Sequence, residues 1–257
     1  MLLSVLMPVY NERDTIGTIL VHVARCLPKV NKEIIIIDDR STDGTREWLK
    51  ANFPGGQRHG SKVDLGADGN LIFGEESEIS HLAIRIAYHE HNRGKGGALQ
   101  TGFKSFSGDI LVIQDADLEY DPNDWVQMYE LIAVRKVADV VFGSRFYGRP
   151  HRSLYFHHYL GNRLISFLFN LLYDQMLSDI EVCYKMFTKE VLQELKLTSE
   201  GFGFEIEITA QISRARRWRI YEVGISYYGR TYEEGKKINW RDGLKALLYL
   251  FKFRLRG

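Results

Sequence analysis

Apolar residues in this chain follow two rhythms. Short, mainly apolar runs occur at Leu3 to Met7, Ile34 to Ile37, Ile84 to Tyr88, Ile110 to Gln114 and Val140 to Phe142. Between them, apolar positions recur every three or four residues, as at Ile16, Leu20, Val23, Ala24 and Leu27. Short Val/Ile runs bounded by turn residues read as strands buried on both faces, and the three-to-four spacing reads as helix. Asn11 is a candidate cap for the first helix. Further helices fit Thr42 to Leu49, Lys95 to Phe106 and the stretch after Asp124. Strands buried on both faces and alternating with helices predict an α/β fold with a mainly parallel, twisted sheet flanked by helices.

Residues 54 to 81 interrupt this alternation with Gly, Ser and charge, and read as a surface insertion with a hairpin around Asp68-Gly69-Asn70 and no catalytic role. Residues 151 to 177 predict one or two apolar helices. The end of the chain, from Trp240 to Arg256, is basic and amphipathic. Asn239 can cap it, Asp242 sits in its first turn, and Trp240, Leu244, Leu247, Leu248, Phe251 and Leu255 share one stripe. The boundaries expected are one domain over 1–257, divided into 1–145, 146–238 and the amphipathic helix 239–257.

In a parallel sheet of this kind, ligands sit outside the carboxyl ends of the strands. The polar clusters of this chain fall there. The first strand is followed by Pro8-Val9-Tyr10-Asn11-Glu12, the second by Asp38-Asp39, the third by Asn92-Arg93-Gly94-Lys95-Gly96, the fourth by Asp115-Ala116-Asp117, and the fifth by Gly143-Ser144-Arg145. Carboxylates two residues apart at a strand end can both reach one hard divalent ion such as Mg²⁺ or Mn²⁺, which in turn grips phosphate oxygens. An acidic turn is also a common solvated feature, and the shared rim is what favours a site. Asp39 can hold a base edge or a ribose hydroxyl, with Ser41, Thr42 or Asp43 capping the next helix. The glycines of 94 to 97 can let backbone N–H groups approach a phosphate, or can simply make a tight turn. That segment matches neither the P-loop nor the dinucleotide fingerprint.

Composition narrows the partners. Net charge is +1, which names neither nucleic acid nor any other macroion. Two cysteines, Cys26 and Cys183, imply buried thiols rather than a disulfide framework. The histidines form no zinc set. No uncharged apolar stretch reaches 18 residues, and the first residues, stopped by Pro8, read as a strand rather than a signal peptide.

The four segments 8–12, 38–45, 92–96 and 115–117 occur in the order found in family 2 glycosyltransferases, and the chain resembles the branch related to dolichyl-phosphate mannose synthase. The resemblance covers roughly residues 3 to 145, extended less specifically by Gly143-Ser144-Arg145, Arg230 and Glu234 to Ile238. It implies a GT-A fold, a nucleotide-sugar donor, a divalent metal and inversion at the anomeric carbon. On that basis Pro8, Tyr10, Glu12 and Asp39 would line the base and ribose pocket, with Lys95 near the base. Asp115 would contact ribose or sugar and join Asp117 and Glu119 as candidate metal ligands, with Asp117 foremost. Arg145 would face the acceptor phosphate, and Arg230 and Lys236 the donor diphosphate. Where relatives carry a Ser-Gly-Phe-Arg-like segment, this chain has Asp179 to Phe187, with Lys185 in the arginine's place.

The expected reaction is transfer of a hexose from a GDP-mannose- or UDP-glucose-type donor to a polyprenyl or dolichyl phosphate. An ionised phosphate needs no general base, and Arg145 with Arg149 or Arg152 would serve it. A saccharide hydroxyl would need one, and Asp179 or Glu181 could supply it, unless these carboxylates pair with Lys185 or Arg163. Other readings are transfer to a saccharide in surface polysaccharide synthesis and a catalytically inactive nucleotide-sugar-binding partner. A sugar nucleotidyltransferase would want an N-terminal glycine-rich loop that residues 8 to 16 lack. A lipid acceptor implies a cytoplasmic protein held peripherally at the membrane by the basic helix and residues 160 to 172. An integral-membrane protein is a further candidate partner.

Overall fold

In the computed structural model the five apolar runs become strands of one eight-stranded sheet. All residues are described except 61, 75–80, 149, 154, 202, 232, 235–239, 256 and 257, and of 62, 240, 241, 242 and 244 only the backbone is described. In chain order the elements begin with β1 (Leu2–Val9), α1 (Ile16–Arg25), β2 (Asn31–Asp38) and α2 (Thr45–Asn52). There follow β3 (Gln57–Gly60), β4 (Lys62–Leu65), β5 (Leu71–Gly74), β6 (Leu82–Tyr88), α3 (Gly94–Phe103), β7 (Ile110–Ile113), α4 (Trp125–Tyr129) and β8 (Val140–Ser144). The remainder is α5 (Phe156–Tyr173), β9 (Lys185–Thr188), α6 (Lys189–Glu194), α7 (Gly203–Ala215), β10 (Ile220–Gly224) and α8 (Trp240–Leu255).

The sheet order is β10-β8-β9-β7-β1-β2-β6-β3. Pairing is parallel for β1–β2, β1–β7, β2–β6 and β8–β10, and antiparallel where β9 enters between β7 and β8 and where β3 covers β6. Alternate residues of a strand serve opposite faces. Leu3, Val5, Met7, Ile34 and Ile36 pack with α1, α2 and α4, while Leu6, Ile35, Ile37 and Leu111 pack with α3, α5, α7 and α8. Two apolar layers therefore clamp the sheet, which is why β1 and β2 read as continuous hydrophobic runs.

Several local expectations change. Asn11 does not cap α1, which begins five residues later at Ile16. Asn11 has φ 55° and accepts a hydrogen bond from the Thr42 amide instead. Thr42 lies before α2, which starts at Thr45 after Gly44 at φ 93°. Strand β9 went unanticipated because Lys185–Thr188 is too short and mixed to show a period. The insertion is partly structured: β3 pairs with the edge of β6, and the β4–β5 hairpin turns at Gly69. Val63 and Leu71 of that hairpin are buried beside α1, and the Trp48 indole donates to Gly69 O. The basic helix α8 turns Ala246, Leu250 and Phe253 toward the core, so the stripe through Leu248, Phe251 and Leu255 faces outward.

One buried carboxylate ties the sheet at the end of the strands opposite the site. Glu33 on β2 accepts from Ser4, from the Ser107 amide (2.6 Å) and hydroxyl (2.8 Å), from the Gly108 amide (3.1 Å) and from Arg85. Burial alone would raise its carboxyl, but these donors and Arg85 hold it below the ordinary 4.5. Removing one partner of such a buried network costs about 3–5 kcal/mol. Glu33→Ala should therefore lower the melting temperature sharply without touching the site. Because the folded value lies below the unfolded one, the contribution is present above pH 4.5 and is lost as pH falls through the folded value. Wild type should converge on the variant in acid melts; a constant gap from pH 3 to 7 would exclude this linkage.

Candidate active site

The carboxyl ends of β1, β2, β6, β7 and β8 lie along one rim, and hydrogen bonds knit their loops together. The Asp39 amide donates to Val9 O (2.8 Å), the Asn11 amide to Ser41 Oγ (3.0 Å), the Glu12 amide to Thr45 Oγ1 (3.0 Å) and the Arg13 amide to Asp43 Oδ2 (3.1 Å). Ser41 to Thr45 thus chiefly bind the β1 loop, a use beyond the capping that the sequence suggests. Pro8 lies within β1, one residue before its end, Tyr10 is exposed and Glu12 is buried.

Asp39 is buried, and its Oδ1 receives the Arg93 amide and lies against His89 Nδ1, both at 2.8 Å. His89 Nε2 meets Thr101 Oγ1 at 2.9 Å, so the imidazole is braced from both sides. The glycine link after Arg93 serves packing rather than a ligand. The Gly97 amide donates to Glu200 O (3.0 Å), and a Cβ on Gly96 would come 2.3 Å from Ser199 O. These glycines let α3 press against the chain before α7.

Lys95 reaches down into the site. Its ammonium lies 2.7 Å from Asp115 and 3.4 Å from Glu205, beside the Cys183 thiol. Burial would lower its proton affinity, but Asp115, Cys183 and Glu205 reverse that and keep it firmly charged. Glu205 was missed in the sequence. It lies on α7, far down the chain, and its signal is two acids, Glu205 and Glu207, within the apolar run Phe204 to Ile208 where both are buried.

Arg230 arrives from the loop after β10 and lies across three carboxylates. Its NH2 is 2.7 Å from Asp117, its Nε 3.0 Å from Glu119 and its NH1 3.3 Å from Glu12. The Asp117 carboxyl is nonetheless raised from 3.8 to about 7, first by burial and then by Asp115 and Glu119, with Arg230 opposing the rise. Among the described residues Glu12, Asp115, Asp117 and Glu119 meet Lys95 and Arg230 across this rim, and their donors are hard carboxylate oxygens. Mg²⁺ or Mn²⁺ fits that set. Asp115, Asp117 and Glu119 do not, however, form a ready-made cage: among the described residues no three His, Cys, Asp or Glu side chains gather around a metal position. Each of the three already faces a cation of the protein. Lys236, expected on the diphosphate, lies outside the described residues.

On the acceptor side, Arg145 and Asp179 form a two-pronged pair, with Nε and NH2 each 2.7 Å from a carboxylate oxygen. Glu222 accepts the amides of Ser178 (2.9 Å) and Asp179 (3.2 Å) and fixes that turn. Asp179 is therefore committed to Arg145 rather than to Lys185 or Arg163, and is poorly placed to act as a base. Lys185 is fully buried, donates to Ile180 O (3.2 Å) and Val182 O, and does not stand in for a phosphate-facing arginine. Arg152 pairs with Glu234 (2.5 Å) and Gly229 O (3.2 Å), bracing the Arg230 loop. Arg149 lies outside the described residues. Burial raises the Glu181 carboxyl to about 7, with Asp179 and Glu205 adding to the rise and Arg145 and Lys185 opposing it.

A parallel sheet with one antiparallel insert, an acidic β7 terminus and basic groups converging on it defines a GT-A glycosyltransferase. The chain belongs to glycosyl transferase family 2, whose model matches residues 4–64 and 75–196. It is 28% identical over 146 residues to a dolichol-phosphate mannosyltransferase of Pyrococcus furiosus, a match taking in 57% of this chain and only 34% of that protein. It is 26% identical to glycosyltransferase AglJ of Haloferax volcanii, over 96% of this chain and 70% of the relative. It is 24% identical to an undecaprenyl-phosphate mannosyltransferase of Micrococcus luteus, over 90% and 85% respectively. In three dimensions it resembles glucosyl-3-phosphoglycerate synthase from Mycobacterium tuberculosis in complex with Mn²⁺, UDP and phosphoglyceric acid (TM-score 0.67, 18% identity, 98% of this chain and 78% of that one). The GT-A fold, the family and the branch expected from the sequence are thus borne out.

Proposed function

We propose that this protein transfers a hexose, with inversion, from a GDP-mannose- or UDP-glucose-type donor to a polyprenyl phosphate. The observation that carries this reading is the convergence of Glu12, Asp117, Glu119 and Arg230 at the sheet's carboxyl rim, with Arg145 across the site. Two relatives named for dolichol-phosphate and undecaprenyl-phosphate mannosyl transfer support it.

The chemical task is to break a sugar–phosphate bond and release a nucleoside diphosphate. Asp117, with Asp115 beside it, would hold a divalent ion, which would supply positive charge against the leaving diphosphate. Arg230 adds a second charge from the late loop, and preorganised charge of this kind usually lowers the barrier more than any other single effect. Asp39 and Tyr10 line the nucleotide end. Arg145, held by Asp179 and lying 5.4 Å from the Tyr227 ring, presents its remaining N–H groups to an acceptor phosphate. That phosphate is ionised near neutral pH and attacks without a base.

A lipid acceptor requires contact with a bilayer. Phe156, Leu160, Leu164, Phe167 and Leu171 stand exposed along α5, and Leu248, Phe251 and Leu255 along α8, which packs beside it. Lys245, Lys252 and Arg254 are exposed on the same helix α8. Near the start of α5, Tyr159 packs edge-on to Phe146 (5.3 Å), which adjoins Arg145 (5.8 Å). This apolar, basic-edged face fits an anionic membrane surface and leads to the acceptor site. Among the described residues no helix is long and apolar enough to cross a membrane.

Glu181, raised to about 7, favours a second reading with a hydroxyl acceptor, which would need such a base. Incubation with radiolabelled GDP-mannose or UDP-glucose, Mn²⁺ and undecaprenyl phosphate separates the two. Label should enter the organic-extractable lipid. Label found only in water-soluble saccharide would transfer the assignment to the hydroxyl reading.

A further inference from the structure

The acidic rim already contains a cation, and its two ends are held differently. The stem of Arg230 is fixed: its backbone amide (3.1 Å) and Nε (3.0 Å) both donate to Glu119 Oε1. The Tyr227 hydroxyl donates to Glu119 Oε2 (2.9 Å), and the Tyr228 amide to Glu119 O (2.9 Å). Glu119 is thereby tied to the late loop by four hydrogen bonds. The tip of Arg230 rests instead on Asp117 at 2.7 Å and, at a stretched 3.3 Å, on Glu12.

We propose that Arg230 is a resident counter-cation that pivots about Glu119, leaving Asp117 for the donor diphosphate as a divalent metal takes its place. This rests on the nucleotide-sugar reading above, and it makes Glu119 a positioning residue rather than a metal ligand. A guanidinium and a divalent ion cannot share one carboxylate oxygen, because their like charges repel strongly at contact distance. Metal alone therefore meets a competitor. Metal arriving with a diphosphate does not, since the diphosphate offers the displaced tip a new anion. The two ligands must then help each other's binding, and reciprocally so. Holding the stem at Glu119 limits what must move to the end of one side chain.

The test titrates Mn²⁺ by electron paramagnetic resonance against the full chain, alone and with UDP or GDP, with melting curves to check that each variant is folded. Wild type should bind Mn²⁺ weakly alone and about tenfold tighter with the matching nucleotide. Arg230→Gln should bind Mn²⁺ alone about tenfold tighter than wild type and lose most of the nucleotide enhancement. Glu119→Ala should stay within about threefold of wild type for Mn²⁺ alone while weakening the nucleotide about tenfold, and Glu119→Gln, which keeps an acceptor for Nε, should recover part of that loss. Equal Mn²⁺ affinity in wild type and Arg230→Gln, including no detectable binding in either, overturns the counter-cation. A loss of Mn²⁺ affinity of about tenfold or more in Glu119→Gln makes Glu119 a ligand and overturns the pivot. Failure of UDP and GDP to bind any form would instead remove the donor reading, and the Mn²⁺-only comparison would still decide the competition.

Discussion

Asp117→Asn is expected to slow glycosyl transfer by about a thousandfold while the protein stays folded. The substitution keeps the size of the side chain and an acceptor for the Glu119 amide, which donates to Asp117 Oδ1 at 3.1 Å. What it removes is the charge on which Arg230 and, by the reading above, the metal depend. Arg230 keeps Glu12 and Glu119, so the late loop retains its anchor. Chelation of divalent ions should cost wild type a similar factor and the variant little more, because both act through one interaction. Undiminished activity in Asp117→Asn would remove this residue from the chemistry. Stability supplies an independent check. The folded carboxyl, at about 7, lies above its ordinary 3.8, so the folded protein holds a proton there that the unfolded chain releases. This group's contribution is present below pH 3.8 and is lost as pH rises through about 7. Asparagine has no such proton. The variant should therefore gain in melting temperature on wild type between pH 5 and pH 8, measured without added metal.

Much of this site was legible because a parallel sheet collects its loops at one end. Given sequence runs ending at Met7, Ile37, Tyr88, Gln114 and Phe142, the residues after them had to share a rim. Glu12, Asp39, Lys95, Asp117 and Arg145 do so: Glu12 and Asp117 share Arg230, and Lys95 meets Asp115 beside Asp117. The pairings across that rim were not legible, because they depend on residues more than a hundred positions apart. Arg230 lies across Glu12, Asp117 and Glu119, and Glu205 reaches Lys95. Charge that reads as free in sequence is thus partly satisfied in space. Asp179 is the clearest case: a candidate base by composition, it is a rigid support for Arg145 in the fold. The glycine link shows the same limit. Its sequence permits either an anion cradle or close packing, and only the nearness of Ser199 and Glu200 selects the second. In α8 the stripe through Leu248, Phe251 and Leu255 was legible, but the second apolar stripe of Ala246, Leu250 and Phe253 was not, because only packing against α5 and α7 reveals it.

Charging the outward face of α5 should detach the protein from lipid without unfolding it. Phe167 and Leu171 are 62% and 72% exposed, and Leu164 is 50% exposed, so none of them holds the core together. Fully burying a Leu or Phe side chain contributes about 1.5–3 kcal/mol. Three such side chains, even partly inserted among lipid headgroups, account for at least about a hundredfold in partitioning. Leu164→Glu, Phe167→Glu and Leu171→Glu together should lose that factor in sedimentation with anionic vesicles. Reversing Lys252 and Arg254 should cost about 1 kcal/mol each and make the remaining binding less sensitive to salt. Deleting the whole of α8 would be a poorer experiment, since Ala246, Leu250 and Phe253 belong to the core and their loss would unfold what is being tested. The triple variant should keep the wild-type melting temperature, because exposed substitutions seldom shift stability by more than about 0.5 kcal/mol. It should also transfer sugar normally to a short, water-soluble prenyl phosphate while failing with the long-chain lipid in vesicles. That split assigns the face to reaching the acceptor rather than to the chemistry. Unchanged sedimentation of the triple variant would instead leave the exposed helices with no part in membrane contact.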